Sequence, residues 1–172
     1  MDFFEVVNVR CSMRHYLSTP VEEGKLHQIL QAANRAPSAG NLQGYEIYVV
    51  RKPEQHKQLS RASWDQESLL EAPVVLVFCA NPARSEEKYA ERGVTLYSVQ
   101  DATIACAYAG LAATALGLCC VWVGAFDPEQ VGRVIAVPKG QVPVAMLPLG
   151  YPGKELQSRP RRALKDLVHE VN

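Results

Sequence analysis

The chain has 172 residues, 48% of them hydrophobic and 21% charged, the balance of a globular protein rather than a disordered or fibrous one. A chain of this length fits one domain, residues 1–172, that buries about 70% of its unfolded surface. Eighteen basic residues offset eighteen acidic ones, so net charge gives no reason to expect a nucleic-acid or anionic-membrane partner, and any basic site must be local.

The five cysteines, Cys11, Cys79, Cys106, Cys119 and Cys120, are odd in number and show no C-x-x-C spacing. That argues against a disulfide framework, a zinc site or a dithiol redox motif, and favours a reduced cytoplasm. Acidic residues in the first five positions and the lack of a long apolar run there leave no export signal. The alanine-rich stretch 102–118 is too weakly hydrophobic for a membrane span and reads as a buried helix.

In chain order, Asp2 caps a first helix carrying Phe3, Val6 and Val7 at helical spacing. It delivers Arg10-Cys11-Ser12-Met13-Arg14, two guanidinium forks around a hydroxyl. That combination suits a phosphate, although solvated surface arginines would look the same. A second helix over residues 22–35 places Leu26, Ile29, Leu30 and Ala33 on one face. Residues 36–44 form a loop whose glycines a turn explains. Its Ser38, Asn41 and Gln43 also form a set of donors and acceptors able to read the edge of a planar heterocycle.

A strand over residues 45–50 is followed by a helix over 53–62, a polar region over 63–71, and a continuous apolar run over 73–80 that reads as a fully buried strand. Residues 81–93 are strongly charged and read as an exposed helix or a lid. Residues 95–116 form the longest helix, rich in alanine, and Gly117 stops it. Residues 119–126 read as a strand ending in a glycine turn, and Asp127-Pro128 opens a helix through Ile135. A strand over 143–150 leads to the basic stretch Arg159-Pro160-Arg161-Arg162 and a closing helix to about Val171.

There is no G-x-G-x-x-G, P-loop or G-x-S-x-G. The four histidines fall at no metal-ligand spacing, so no metal is expected.

Four separated stretches, taken together, resemble the FMN-dependent nitroreductase family over nearly the whole chain. They are R-x-S-x-R at residues 10–14, A-P-S-A-x-N-x-Q at 36–43, L-G-L-x-x-x-W-x-G at 116–124 and basic-Pro-Arg at 159–161. Gly44-Tyr45 stands where the family commonly has Pro-Trp, and Cys11 where an arginine is frequent. The resemblance implies an α+β fold, a mostly antiparallel sheet flanked by helices around a long central one, in an intertwined homodimer. It implies FMN as cofactor, NADH or NADPH as hydride donor, and a small-molecule acceptor such as a nitroaromatic or quinone. A reductive dehalogenase, or a protein that only stores or senses flavin, would carry the same cofactor site.

By the same resemblance Arg10, Ser12, Arg159 and Arg161 hold the FMN phosphate, with Cys11 contributing its backbone. Arg14 sits at the pyrimidine edge and serves the chemistry. Pro37, Ser38, Asn41 and Gln43 reach the flavin of the neighbouring subunit, and the backbone of Val123, Gly124 and Ala125 faces the ring near N5, Gly124 being the reactive-side contact.

Overall fold

The computed structural model describes residues 1–156 and 159–171. Its centre is β2 (Val74–Ala80), in which every residue is buried. It lies between β1 (Tyr45–Val50) and β4 (Val142–Gly150), with β3 (Cys119–Cys120) on the far side of β4, in the order β1-β2-β4-β3 and antiparallel throughout. Alternate β2 side chains point to opposite faces. Val74, Leu76 and Phe78 face a layer formed by α2 (Glu23–Asn34) and α6 (Ser98–Ala115). Val75, Val77 and Cys79 face the layer of α3 (Pro53–Arg61), α4 (Ser68–Glu71) and α7 (Pro128–Val134). Helices cover both faces, which is why the run of residues 73–80 shows no polar alternation.

The remaining α-helices are α1 (Phe3–Val9) and α5 (Ala83–Arg92), the latter joined to α6 by a π-helical turn, Gly93–Tyr97. A capping box starts α1: the Asp2 carboxylate accepts from the Glu5 amide at 2.9 Å, and Glu5 accepts from the Asp2 amide at 2.8 Å. Helix α6 packs on the sheet through Ala102, Ala105, Ala109 and Ala113, whose small side chains let the two backbones approach. It ends in a Schellman motif, the Leu118 amide donating to Ala113 and the Gly117 amide to Thr114, with Gly117 at φ +76°. A methyl group added at Gly117 would meet nothing within 4 Å, so Gly117→Ala carries only the left-handed backbone penalty. We expect a loss of about 1 kcal/mol by urea denaturation.

Three elements depart from expectation. Residues 119–126 do not form one strand: pairing with β4 stops after Cys120 and returns only as a bridge between Val123 and Met146. The register places Val121 opposite Pro148, which has no N–H to give, so the ladder breaks there. The polar region 63–71 contains the short helix α4. The closing helix is absent: residues 159–171 contain a single 3-10 turn, Leu164–Asp166, and Leu164, Leu167, Val168 and Val171 are exposed. An apolar stripe with no surface to bury against does not sustain a helix.

Candidate active site

The site is built where the chain leaves α1. Arg10 is the C-cap, and the segment after it docks against β3 as an extended strand: Ser12 bridges Cys120 in parallel sense and the Met13 amide donates to the Cys120 carbonyl at 3.1 Å. Extended backbone puts alternate residues on one face. Met13 is buried, while Ser12 and Arg14 are exposed and Arg10 is half-buried.

The next residues tie this segment to the turn after β4. The Leu17 amide donates to Tyr151 at 3.0 Å and the Gly153 amide to His15 at 2.8 Å. The buried Tyr16 hydroxyl lies 2.6 Å from the Met13 carbonyl and 3.0 Å from that of Pro148, so its single proton serves these two carbonyls beside the break in the ladder. Burial is the main reason its phenol stays protonated far above the usual range. Glu71 accepts from the Tyr16 amide at 3.0 Å and lies 3.2 Å from His15 Nδ1. A side chain at Gly153 would stand 3.0 Å from the His15 and Tyr16 backbone, so it would push the two segments apart by a few tenths of an ångström.

The result is a cleft of about 730 Å³ lined by Arg10, Cys11, Ser12, Met13, Arg14, His15, Lys154, Glu155, Arg159 and Arg161. Arg10, Arg14, Lys154, Arg159 and Arg161 face a single carboxylate, Glu155. In a chain of zero net charge this concentrates positive potential in one place. None of these cations takes part in an ion pair among the described residues, and the Ser12 hydroxyl has no partner there either. Arg161 only reaches back to the carbonyls of Arg159 and Pro160. Unspent guanidinium forks beside a hydroxyl are the donor set that a phosphate monoester takes.

The other expected site residues lie elsewhere. Pro37, Ser38, Asn41 and Gln43 do not line this cleft. They form a tight loop in which Gly40, Asn41 and Gln43 have positive φ. The Ser38 hydroxyl accepts from the Gln43 amide at 3.0 Å, and Gln43 Nε2 donates to Asn41 Oδ1 at 2.7 Å. Much of this polar set therefore shapes the loop itself. The buried Asp101 anchors it from α6, accepting from the amides of Ala39 at 2.9 Å and Gly44 at 3.1 Å. Gly44 has a packing reason, since a side chain there would stand 2.6 Å from Ser85 Oγ.

Val123 is buried and paired with Met146, whereas Gly124 and Ala125 form an exposed turn whose amides donate to no described residue. Gln66 Nε2 holds this turn by donating to the Ala125 carbonyl at 3.1 Å. Sequence reasoning missed Lys154, His15, Tyr16 and Asp101. Lys154 could have been found from its place between the Tyr151-Pro152-Gly153 turn and the basic tail; the others act through contacts far away in sequence.

The model of the nitroreductase family matches residues 7–68 and 60–151. The chain belongs to that family. A relative from Thermus thermophilus, described as an NADH dehydrogenase, is 35% identical over 92% of this chain and 91% of its own length. Among solved structures, the hypothetical oxidoreductase YcnD from Bacillus subtilis superposes with a TM-score of 0.90 at 29% identity, covering 100% of this chain and 75% of YcnD. The NADPH:FMN oxidoreductase from Vibrio harveyi, complexed with NAD+, gives 0.90 at 25% identity, covering 99% of this chain and 77% of that one. These nitroreductase-fold neighbours bear out the α+β architecture expected from the four motifs.

Proposed function

We propose that the protein is an NAD(P)H-dependent FMN oxidoreductase that reduces a small acceptor in a ping-pong cycle. The observation that carries this reading is the basic cleft, where the opening segment and the C-terminal basic stretch bring unpaired arginines to one place. Bound FMN would supply the redox chemistry, taking hydride from a nicotinamide and passing it to an acceptor such as a nitroaromatic or quinone.

The chain's own residues orient and charge-stabilise. Arg10, Ser12, Arg159 and Arg161 would hold the phosphate, with the Cys11 backbone beside them. Lys154 joins them as a further cation on the same wall. Arg14 would serve the pyrimidine edge and stabilise negative charge there. Of the expected turn, the Gly124 and Ala125 amides would be available to the ring, whereas the amide and carbonyl of Val123 are both spent on Met146 and leave it a positioning role. Pro37, Ser38, Asn41 and Gln43 lie outside their own chain's cleft, and in a homodimer they would serve that of the second copy. Exposed Phe3, Phe4 and Val7 on α1, with the apolar residues of the C-terminal stretch, give that copy a surface to cover.

Among the described residues no helix is long and apolar enough to cross a membrane. The five free thiols suit a cytoplasmic protein.

The test is an absorbance spectrum after incubation with FMN, then anaerobic mixing with NADH or NADPH and a panel of acceptors. Bleaching of the bound flavin and its recovery on adding an acceptor are expected. Flavin that stays oxidised under either nicotinamide would overturn the enzymatic reading. Arg14→Ala should lower the potential of the bound flavin by about 30 mV, equivalent to the lower end of a charge-assisted bond, because this arginine is solvent-exposed. Spectroelectrochemical titration of variant and parent measures it, and an unchanged potential removes Arg14 from this role.

A further inference from the structure

We propose that Cys11 and Cys119 are a thiol pair that an oxidant closes into a disulfide at the wall of the basic cleft. Ser12 bridges Cys120 in parallel sense, so one step back along both segments places Cys11 opposite Cys119. Paired strands run about 4.8 Å apart, inside the roughly 4.4–6.8 Å between Cα atoms that a disulfide spans.

The two side chains also share a face. Cys119, Val121 and Val123 belong to the core layer that contains Met13, and Cys11 alternates with Ser12 onto Met13's side. Cys120 points the other way, into the layer beneath α6, with Sγ 3.9 Å from the Gly110 carbonyl. Burial first, and then the neighbouring Cys11, push the Cys119 thiol up to about 11. Cys11 is half-exposed and lines the cleft, whereas the other four thiols are buried.

That asymmetry sets the order of events. With hydrogen peroxide as oxidant, the Cys11 thiolate attacks one peroxide oxygen, the O–O bond breaks, and water leaves once protonated, giving a sulfenic acid. The Cys119 sulfur then attacks Cys11 Sγ, the S–O bond breaks, and the Cys119 proton leaves with the hydroxide as a second water. Two thiols and one peroxide yield one disulfide and two waters. The bond would fasten the segment carrying Arg10, Ser12 and Arg14 to β3.

The test treats the reduced, desalted full-length protein with hydrogen peroxide and maps its peptides by mass without reduction. A Cys11–Cys119 linked peptide is expected, with loss of two hydrogens from the intact mass, reversal by dithiothreitol, and no link in Cys11→Ser. Cys120→Ser should still form it. Thermal unfolding of Cys11→Ser, which alters a half-exposed side chain, verifies that the variant is folded. Over-oxidation of Cys11 without a cross-link, a Cys11–Cys120 link, or a Cys106–Cys120 link would each overturn the pairing.

Discussion

Replacing Arg10 with alanine is expected to weaken FMN binding by about tenfold to a hundredfold, measured as the Kd from quenching of flavin fluorescence. The magnitude follows from a charge-assisted bond to phosphate, about 1.5–3 kcal/mol. Arg10 is positioned for that bond because it terminates α1, is half-buried, and has no carboxylate partner among the described residues. Its loss therefore breaks no competing ion pair, and the change in affinity reports the phosphate contact. Arg10→Lys should fall between parent and alanine variant, since an ammonium keeps the charge and loses the fork. A Kd unmoved by either substitution would show that the clamp lies elsewhere.

Asp101→Ala should destabilise the fold by about 2–4 kcal/mol, read from the shift in urea midpoint at unchanged slope. Asp101 is 2% exposed and its two oxygens satisfy the backbone amides of Ala39 and Gly44. Removal leaves amides without acceptors at the base of the 36–44 loop, a larger penalty than the loss of two exchangeable bonds. Asp101→Asn keeps one carbonyl oxygen and should cost less. Because the same carboxylate fixes the loop proposed to reach a second copy's cofactor, Asp101→Ala should also weaken FMN binding. A variant with parental stability would mean that water replaces the carboxylate.

The parts of the molecule that are legible in the sequence are those governed by neighbours in the chain. Strand β1 has the expected bounds, α2 buries Leu26, Ile29 and Ala33 at helical spacing, and the unbroken run of β2 announces burial on both faces. Each of these patterns is local. The basic cleft is half legible: Arg10, Ser12, Arg14, Arg159 and Arg161 line one cavity, but Lys154 reads as an ordinary surface charge.

What escapes is set by distant partners. The break opposite Pro148 depends on register across two strands, and the anchoring of Ala39 by Asp101 links residues 62 apart. The closing helix fails for a related reason: its apolar spacing sustains a helix only where a surface waits for it.

The interrupted β3 edge links folding to ligand binding. A two-residue strand at the margin of a sheet leaves unpaired amides and carbonyls that invite another chain to add on. Here residues 12 and 13 occupy that margin. The segment that presents Arg10, Ser12 and Arg14 thus also guards the sheet against edge-to-edge aggregation. Any anion that grips those side chains holds the guard in place by mass action, so starving the protein of its ligand should favour self-association as well as emptying the site.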